Sequence, residues 1–242
     1  MIDAAIVAAL QNAQSVAVVT GSGVSVASGI ATYRGDDPNA RWKAYDLDSL
    51  STQAGFDRDP AGVFGWYHAL ATQMNAAQPN PAHYALAELE QRVPTFALFT
   101  QNIDSLHQRA GSRNVHEVHG TLARVICSRE RTLVTDWDRN ATPPTCPNCG
   151  APLRHDVVWF GELLDADILR AAKNAFDTSD VALVIGTSSI VEPIASLPHR
   201  ALRRHKTVIE INPDAPLRGI ATYSIAHPAD VVLPELLAAV YG

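Results

Sequence analysis

The segment Val115-His116-Glu117-Val118-His119-Gly120 places two imidazoles three residues apart. Such a pair can ligate a metal, rest idle on a surface, or supply one general base beside a bystander. A zinc helix of the His-Glu-x-x-His kind needs a longer spacing and is absent here. An imidazole exchanges its proton near neutral pH, which suits a base. Thr100-Gln101-Asn102-Ile103-Asp104 offers amides and a carboxylate, the donor and acceptor set a carboxamide ligand needs, although Asn or Asp there also serves as a local N-cap. The loop from Gly21 to Gly29 is built of small residues, which lets backbone amides approach a pyrophosphate or simply makes a tight turn. Val26 stands where a dehydrogenase fingerprint has its third glycine, and no acidic residue closes the next strand, so that fingerprint is not met. Tyr33 and Arg34 follow, a ring and a guanidinium able to close over a phosphate. Cys146-Pro-Asn-Cys149 with a distant Cys127 suggests a metal knuckle more than a disulfide scaffold.

These groups need elements to position them. Short apolar runs at Val16–Thr20, Phe96–Thr100, Val181–Ile185, Val208–Ile211 and Val231–Leu233 read as strands buried on both faces. Between them, helical spacing links Ile2, Ile6, Ala9 and Leu10, and again Tyr84, Leu86 and Leu89. The alternation predicts an α/β fold, a doubly wound, Rossmann-like parallel sheet whose ligand lies at the carboxyl ends of the strands. Asp36–Arg92, mostly helical, and Gly120–Asp156, with all three cysteines, interrupt it. They are assigned to a smaller lobe (36–92 and 120–156), which leaves 1–35, 93–119 and 157–242 for the dinucleotide-binding domain. A formal net charge of -6 argues against a basic surface for nucleic acid. No apolar run approaches the length of a membrane span and Asp3 replaces the basic start of a signal peptide, so the expectation is a cytoplasmic monomer.

In their order along the chain, Gly21 to Arg34, Thr100 to Asp104, Val118-His119-Gly120, Val157 to Glu162, Ile185-Gly-Thr-Ser188 and Asn212 resemble the sirtuins, NAD-dependent protein deacylases, of the compact bacterial type. The resemblance implies that Gly21, Ser22, Gly23, Tyr33 and Arg34 contact the phosphates and ribose of NAD, with Gly186, Thr187, Ser188 and Asn212 on the adenosine half. Ser22 departs from the family's usual alanine. It places Ser25, Gln101, Asn102, Ile103 and Asp104 at the nicotinamide and its ribose, with Asn102 and Asp104 in the catalytic set. His119 is implied as the base that takes a proton from a ribose hydroxyl after the acyl oxygen has displaced nicotinamide. Val158, Phe160, Gly161 and Glu162 are implied as the strand that pairs with an acylated-lysine peptide through its backbone. The products would be nicotinamide, free lysine and O-acyl-ADP-ribose.

Two positions depart from the family. Its structural zinc uses two Cys-x-x-Cys pairs, whereas here Glu130 stands where the first pair has its second cysteine, beside Cys127, Cys146 and Cys149. A desuccinylating branch carries Tyr-x-x-Arg, whereas this chain reads Tyr67-His-Ala-Leu70. Leucine cannot give a carboxylate the bidentate bond an arginine gives, so neutral acyl groups, acetyl first, are expected. Three rivals stay open: a mono-ADP-ribosyltransferase or NAD glycohydrolase, a desuccinylase or demalonylase, and a non-catalytic NAD-binding module.

Overall fold

A computed structural model describes residues 2–32 and 47–242. Tyr33 and Arg34, the proposed phosphate clasp, lie outside the described residues. The helices are α1 (Ala4–Gln11), α2 (Leu47–Leu50), α3 (Gln53–Arg58), α4 (Pro60–Ala76), α5 (Pro81–Arg92), α6 (Leu106–Arg109), α7 (Ala166–Thr178), α8 (Leu197–Arg203) and α9 (Ala229–Tyr241). The strands are β1 (Ser15–Thr20), β2 (Thr95–Thr100), β3 (Val115–Glu117), β4 (Gly120–Cys127), β5 (Leu153–Val157), β6 (Val181–Ile185), β7 (Thr207–Ile211) and β8 (Tyr223–Ile225).

Six strands form one parallel sheet in the order β3-β2-β1-β6-β7-β8. Its apolar runs divide by the strand period of two. Val16, Val18, Leu98, Leu183, Ile185, Ile209 and Ile211 face α1, α5 and α9, while Ala17, Val19, Phe99, Ala182, Val184 and Val208 face α7 and α8. The helices start where the sequence caps them. Asn80 accepts the Ala82 N–H ahead of Pro81, and Asp165 accepts from Asp167 and Ile168. Chain order reverses at β1, which lies between β2 and β6, so the loops after these three strands open one crevice.

One expectation is corrected, and two strands had none. Val231–Leu233 is not a strand but the first turns of α9. The apolar pattern continues through Leu236, Leu237 and Val240, a helical stripe that packs on the sheet. The last two strands of the sheet are instead the three-residue edges β3 and β8, whose half-buried residues carry no apolar run.

A separate antiparallel pair, β4 and β5, packs with α3 and α4 through Phe56, Val63, Tyr67, Met74, Leu122 and Trp159. Beyond it, Phe64, Cys127, Val134, Cys146, Ala151 and Leu153 make a further small core around the cysteines. No helix among the described residues is long and apolar enough to cross a membrane.

Candidate active site

The carboxyl ends of β1 and β6 interlock through glycine. Gly21 N–H donates to the Ile185 carbonyl at 3.0 Å and Gly23 N–H to the Gly186 carbonyl at 2.8 Å. A Cβ on Gly23 would stand 2.7 Å from the Gly186 oxygen, and Gly186 itself has φ +58 with Val24 N 2.5 Å from where its Cβ would be. These glycines therefore let two backbones touch, which adds to the ligand-approach reading of the loop. The cleft beside them has a volume of about 1120 Å³ and is lined by Gly21, Ser22, Gly23, Ser25, Gln101–Asp104, His119, Val158–Glu162, Gly186–Ser188 and Asn212, so every sequence-predicted NAD residue that is described borders one cavity.

A buried hydrogen-bond network fixes its floor. Ser25 Oγ donates to Asp104 Oδ2 at 2.7 Å and accepts from Asn102 Nδ2 at 3.1 Å. His83 Nδ1 accepts the Asn80 N–H, so its Nε2 bears the proton and donates to the same Ser25 oxygen at 3.4 Å. Asp104 Oδ1 accepts the Leu106 N–H at 2.9 Å in a local turn ahead of α6, whose N-cap is Ser105, while its other oxygen serves the network. Burial raises the Asp104 carboxyl above its ordinary value, against the bonds from Leu106 and Ser25 that pull it down. A second chain runs from His107 Nε2 to Thr20 Oγ1 at 3.0 Å, on to Thr100 Oγ1 at 2.9 Å, which also accepts the Asn102 N–H. His83, His107, Asn80 and Thr20 were not singled out in the sequence. The contact of His83 with Ser25 is tertiary, and no local pattern announces it.

His119 follows β3. Its Nδ1 faces the Gln101 carbonyl at 3.1 Å, and because a carbonyl only accepts, Nδ1 holds the proton and Nε2 keeps its lone pair. Burial lowers its pKa below 6.5, opposed by the Gln101 bond, so the ring is neutral at pH 7. His116, on β3, stacks instead on Phe99 with ring centroids 4.7 Å apart. Neither histidine belongs to a metal-like group: among the described residues the group of three or more ligand side chains within metal-ligand proximity is Cys127, Glu130, Cys146 and Cys149. Gln101 also ties the two halves of the cleft, since its Oε1 accepts from Thr187 Oγ1 at 2.9 Å and Asn212 Nδ2 donates to the Thr187 carbonyl at 2.8 Å.

Of the remaining predicted residues, Tyr67, Val158, Phe160, Gly161 and Glu162 border the cleft and Leu70 does not. Tyr67 lines the cleft and bonds to Ser51 Oγ at 3.1 Å, with Met74 and Trp159 beside it as linings the sequence did not announce. Leu70 is partly buried and packs against the α3–α4 core. The Val158–Glu162 segment is not a continuous strand, since β5 ends at Val157. Val158 N–H donates to the His119 carbonyl and Phe160 N–H to that of Ser51, so ladder bonding to the protein is sparse here. The Glu162 carboxylate is not free for substrate, being ion-paired to Arg154.

At the cysteines, the four ligand atoms lie within 4.8 Å of one another and the Cys127 and Cys149 sulfurs are 3.5 Å apart. Thiolates around a tetrahedral zinc stand about 3.8 Å apart, so three sulfurs and one carboxylate fit that ion. The Glu130 N–H donates to Cys127 Sγ at 3.4 Å, an arrangement that favours thiolate.

By themselves the doubly wound sheet, its crevice and the knuckle describe an α/β protein with a dinucleotide-sized cleft and a side-chain group able to hold a structural metal. Comparison with known proteins narrows this. The Sir2 family model matches residues 21–193, and the chain belongs to that family. An NAD-dependent protein deacylase of Methylococcus capsulatus is 42% identical over 97% of this chain and 95% of its own length. NAD-dependent protein deacylase 1 of Pseudomonas aeruginosa is 41% identical over 96% and 97%. The structure of a Sir2 homologue with NAD superimposes at a TM-score of 0.90, with 41% identity over 99% of this chain and 94% of that one. A Sir2 complex with a p53 peptide and NAD⁺ does so at 0.84, with 30% identity over 98% of both.

Proposed function

We propose that this chain is an NAD-dependent protein lysine deacylase in which His119 is the general base. The observation that carries this reading is the imidazole with its lone pair on Nε2, held by Gln101, in the cleft that also contains Ser25, Asn102 and Asp104. NAD supplies the ribose that accepts the acyl group, with nicotinamide as the group that leaves. Ser25, Gln101, Asn102, Ile103 and Asp104 hold the nicotinamide end, and Gly21, Ser22, Gly23, Gly186, Thr187, Ser188 and Asn212 the rest, joined by Tyr33 and Arg34. His119 Nε2 takes the proton of a ribose hydroxyl, and Nδ1 stays bonded to Gln101, which supports the imidazolium so formed. Val158, Phe160 and Gly161 present backbone groups to an acylated-lysine peptide, and Tyr67 and Met74 wall the acyl end. With Leu70 in place of an arginine, no guanidinium of the Tyr-x-x-Arg kind is available there, which favours acetyl over succinyl or malonyl groups.

The larger lobe (1–35, 93–119, 157–242) carries NAD, and the smaller lobe (36–92, 120–156) carries the knuckle, where Cys127, Cys146, Cys149 and Glu130 hold zinc. Zinc there closes a loop and takes no part in the chemistry. The protein works as a cytoplasmic monomer without nucleic acid or membrane.

The test incubates the protein with NAD and acetyl-lysine or succinyl-lysine peptide, beside His119→Ala, and follows products by mass spectrometry. Peptide-dependent O-acetyl-ADP-ribose, reduced about 10²–10⁴-fold in the variant, is expected. Nicotinamide release without peptide, or ADP-ribose attached to the peptide, would replace the deacylase with a glycohydrolase or a transferase. Equal removal of succinyl would refute the acyl preference.

A further inference from the structure

The segment that follows β5 is held by one side chain. Arg154, on β5 and opposite Ile126 of β4, is 1% exposed, yet it carries a charge. Its Nη1 donates to Glu162 Oε1 at 2.7 Å and its Nη2 to Glu162 Oε2 at 3.0 Å, a bidentate pair. Nη2 also donates to the Val157 carbonyl, and Nε to that of His155 at 3.5 Å. The guanidinium carbon lies 3.2 Å from the centroid of the Trp159 ring. Glu162 Oε2 in turn accepts the Trp159 N–H at 2.8 Å, and Oε1 takes a longer contact of 3.3 Å from the half-exposed Arg131. Burial alone would raise the Glu162 carboxyl, but the bonds from Arg154 and Trp159 carry it below its ordinary value.

Every partner of Arg154 thus lies between His155 and Glu162, and together they fix both ends of a stretch that has few ladder bonds of its own. A buried ion pair is a poor source of net stability compared with an apolar pair of the same volume. A guanidinium fork spent on four oxygen atoms of one loop is a device for holding shape. We propose that Arg154 is a positioning residue for substrate: it sets the Val158–Gly161 backbone and the Trp159 ring, a wall of the cleft, in the conformation that accepts the acyl-lysine peptide, with Glu162 as its counter-ion and not a substrate contact. This rests on the deacylase reading for the identity of what the segment binds.

The test compares wild type, Arg154→Lys and Glu162→Gln in the full-length protein. Lysine keeps the charge without the fork, and glutamine keeps the shape of the carboxylate without its charge. Steady-state kinetics with NAD and an acetyl-lysine peptide are joined to hydrogen exchange of the 158–162 amides. Loss of a bidentate charged bond predicts a rise of about tenfold or more in peptide KM with the KM for NAD within about twofold, and exchange of those amides faster by a similar factor. A folded Arg154→Lys with wild-type peptide KM and wild-type exchange overturns the proposal, as does a KM for NAD that rises in step with that for peptide, the mark of a merely structural role. If Arg154→Lys does not fold, Glu162→Gln decides by the same criteria. Wild-type protein that shows no deacylation would sink the enzymatic reading, and the exchange rates would still decide the clamp.

Discussion

Three buried imidazoles, His83, His107 and His155, make the fold sensitive to mild acid. Each is neutral for a visible reason. His107 uses its Nε2 proton on Thr20 and His155 its Nδ1 proton on the Leu122 carbonyl at 2.9 Å, while the second nitrogen of each is buried without a partner. His83 Nδ1 accepts the Asn80 N–H, so a proton there would set donor against donor. Burial lowers their pKa values to about 4 for His83, about 3 for His107 and about 4 for His155. The unfolded chain binds a proton on each near 6.5, so between the two values it holds more protons than the native state and stability falls as pH falls. At pH 5.5 each unfolded histidine is about 90% protonated while the native one is not, which costs about 1.4 kcal/mol per residue and about 4 kcal/mol for three relative to pH 7.5. That is a large share of a typical domain's stability. Urea unfolding at the two pH values measures it, and His107→Gln isolates one group, because its drop should be smaller than wild type's by about 1.4 kcal/mol. A wild-type drop below about 1 kcal/mol, or a His107→Gln drop equal to wild type's, would refute the assignment of these rings as neutral in the fold.

Three further outcomes follow from the site. The acid limb of the kcat/KM profile, which reports the free enzyme, should fall below the ordinary imidazole value of 6.5, because burial lowers His119; a limb above 7 would mean another base. Gly186→Ala puts a Cβ against Val24 N at positive φ, so the melting temperature should fall by an amount worth about 2 kcal/mol or more, and an unchanged melt would remove the interlocked-loop account. Glu130→Ala should bind zinc more weakly than wild type in a competition with a chelator and melt earlier when zinc is stripped, while kcat changes little; equal zinc affinity would remove Glu130 from the shell.

The glycine and amide loops of the cleft were legible because they follow buried strands. Apolar runs ending in Thr20, Thr100 and Ile185 told where the sheet's carboxyl edge lies, and the small or amide-bearing residues after them could only be there for turns or ligands. Local pattern also suggested the cysteine knuckle, and the family resemblance added Glu130 as its fourth group. It misled at Val231–Leu233, where three apolar residues fit either period and only the continuation to Val240 against the sheet decides for helix. It was silent on β3 and β8, since edge strands of three half-buried residues carry no run to read.

What the sequence by itself determined is the inventory: which side chains can hold a proton, a carboxamide or a metal, and that they sit at the ends of alternating elements. Tertiary structure decided their roles. Spacing alone does not separate His116 from His119 and the family resemblance selects the second, but only the fold gives the reason: one stacks on Phe99 and the other is aimed by the Gln101 carbonyl across two strands. Glu162 reads as a substrate residue in its motif and becomes the counter-ion of Arg154 because the chain turns back after β5. His83 reaches Ser25 across 58 residues. Such assignments depend on which acceptor lies within about 3 Å of a given donor, a distance set by long-range packing and not by spacing along the chain.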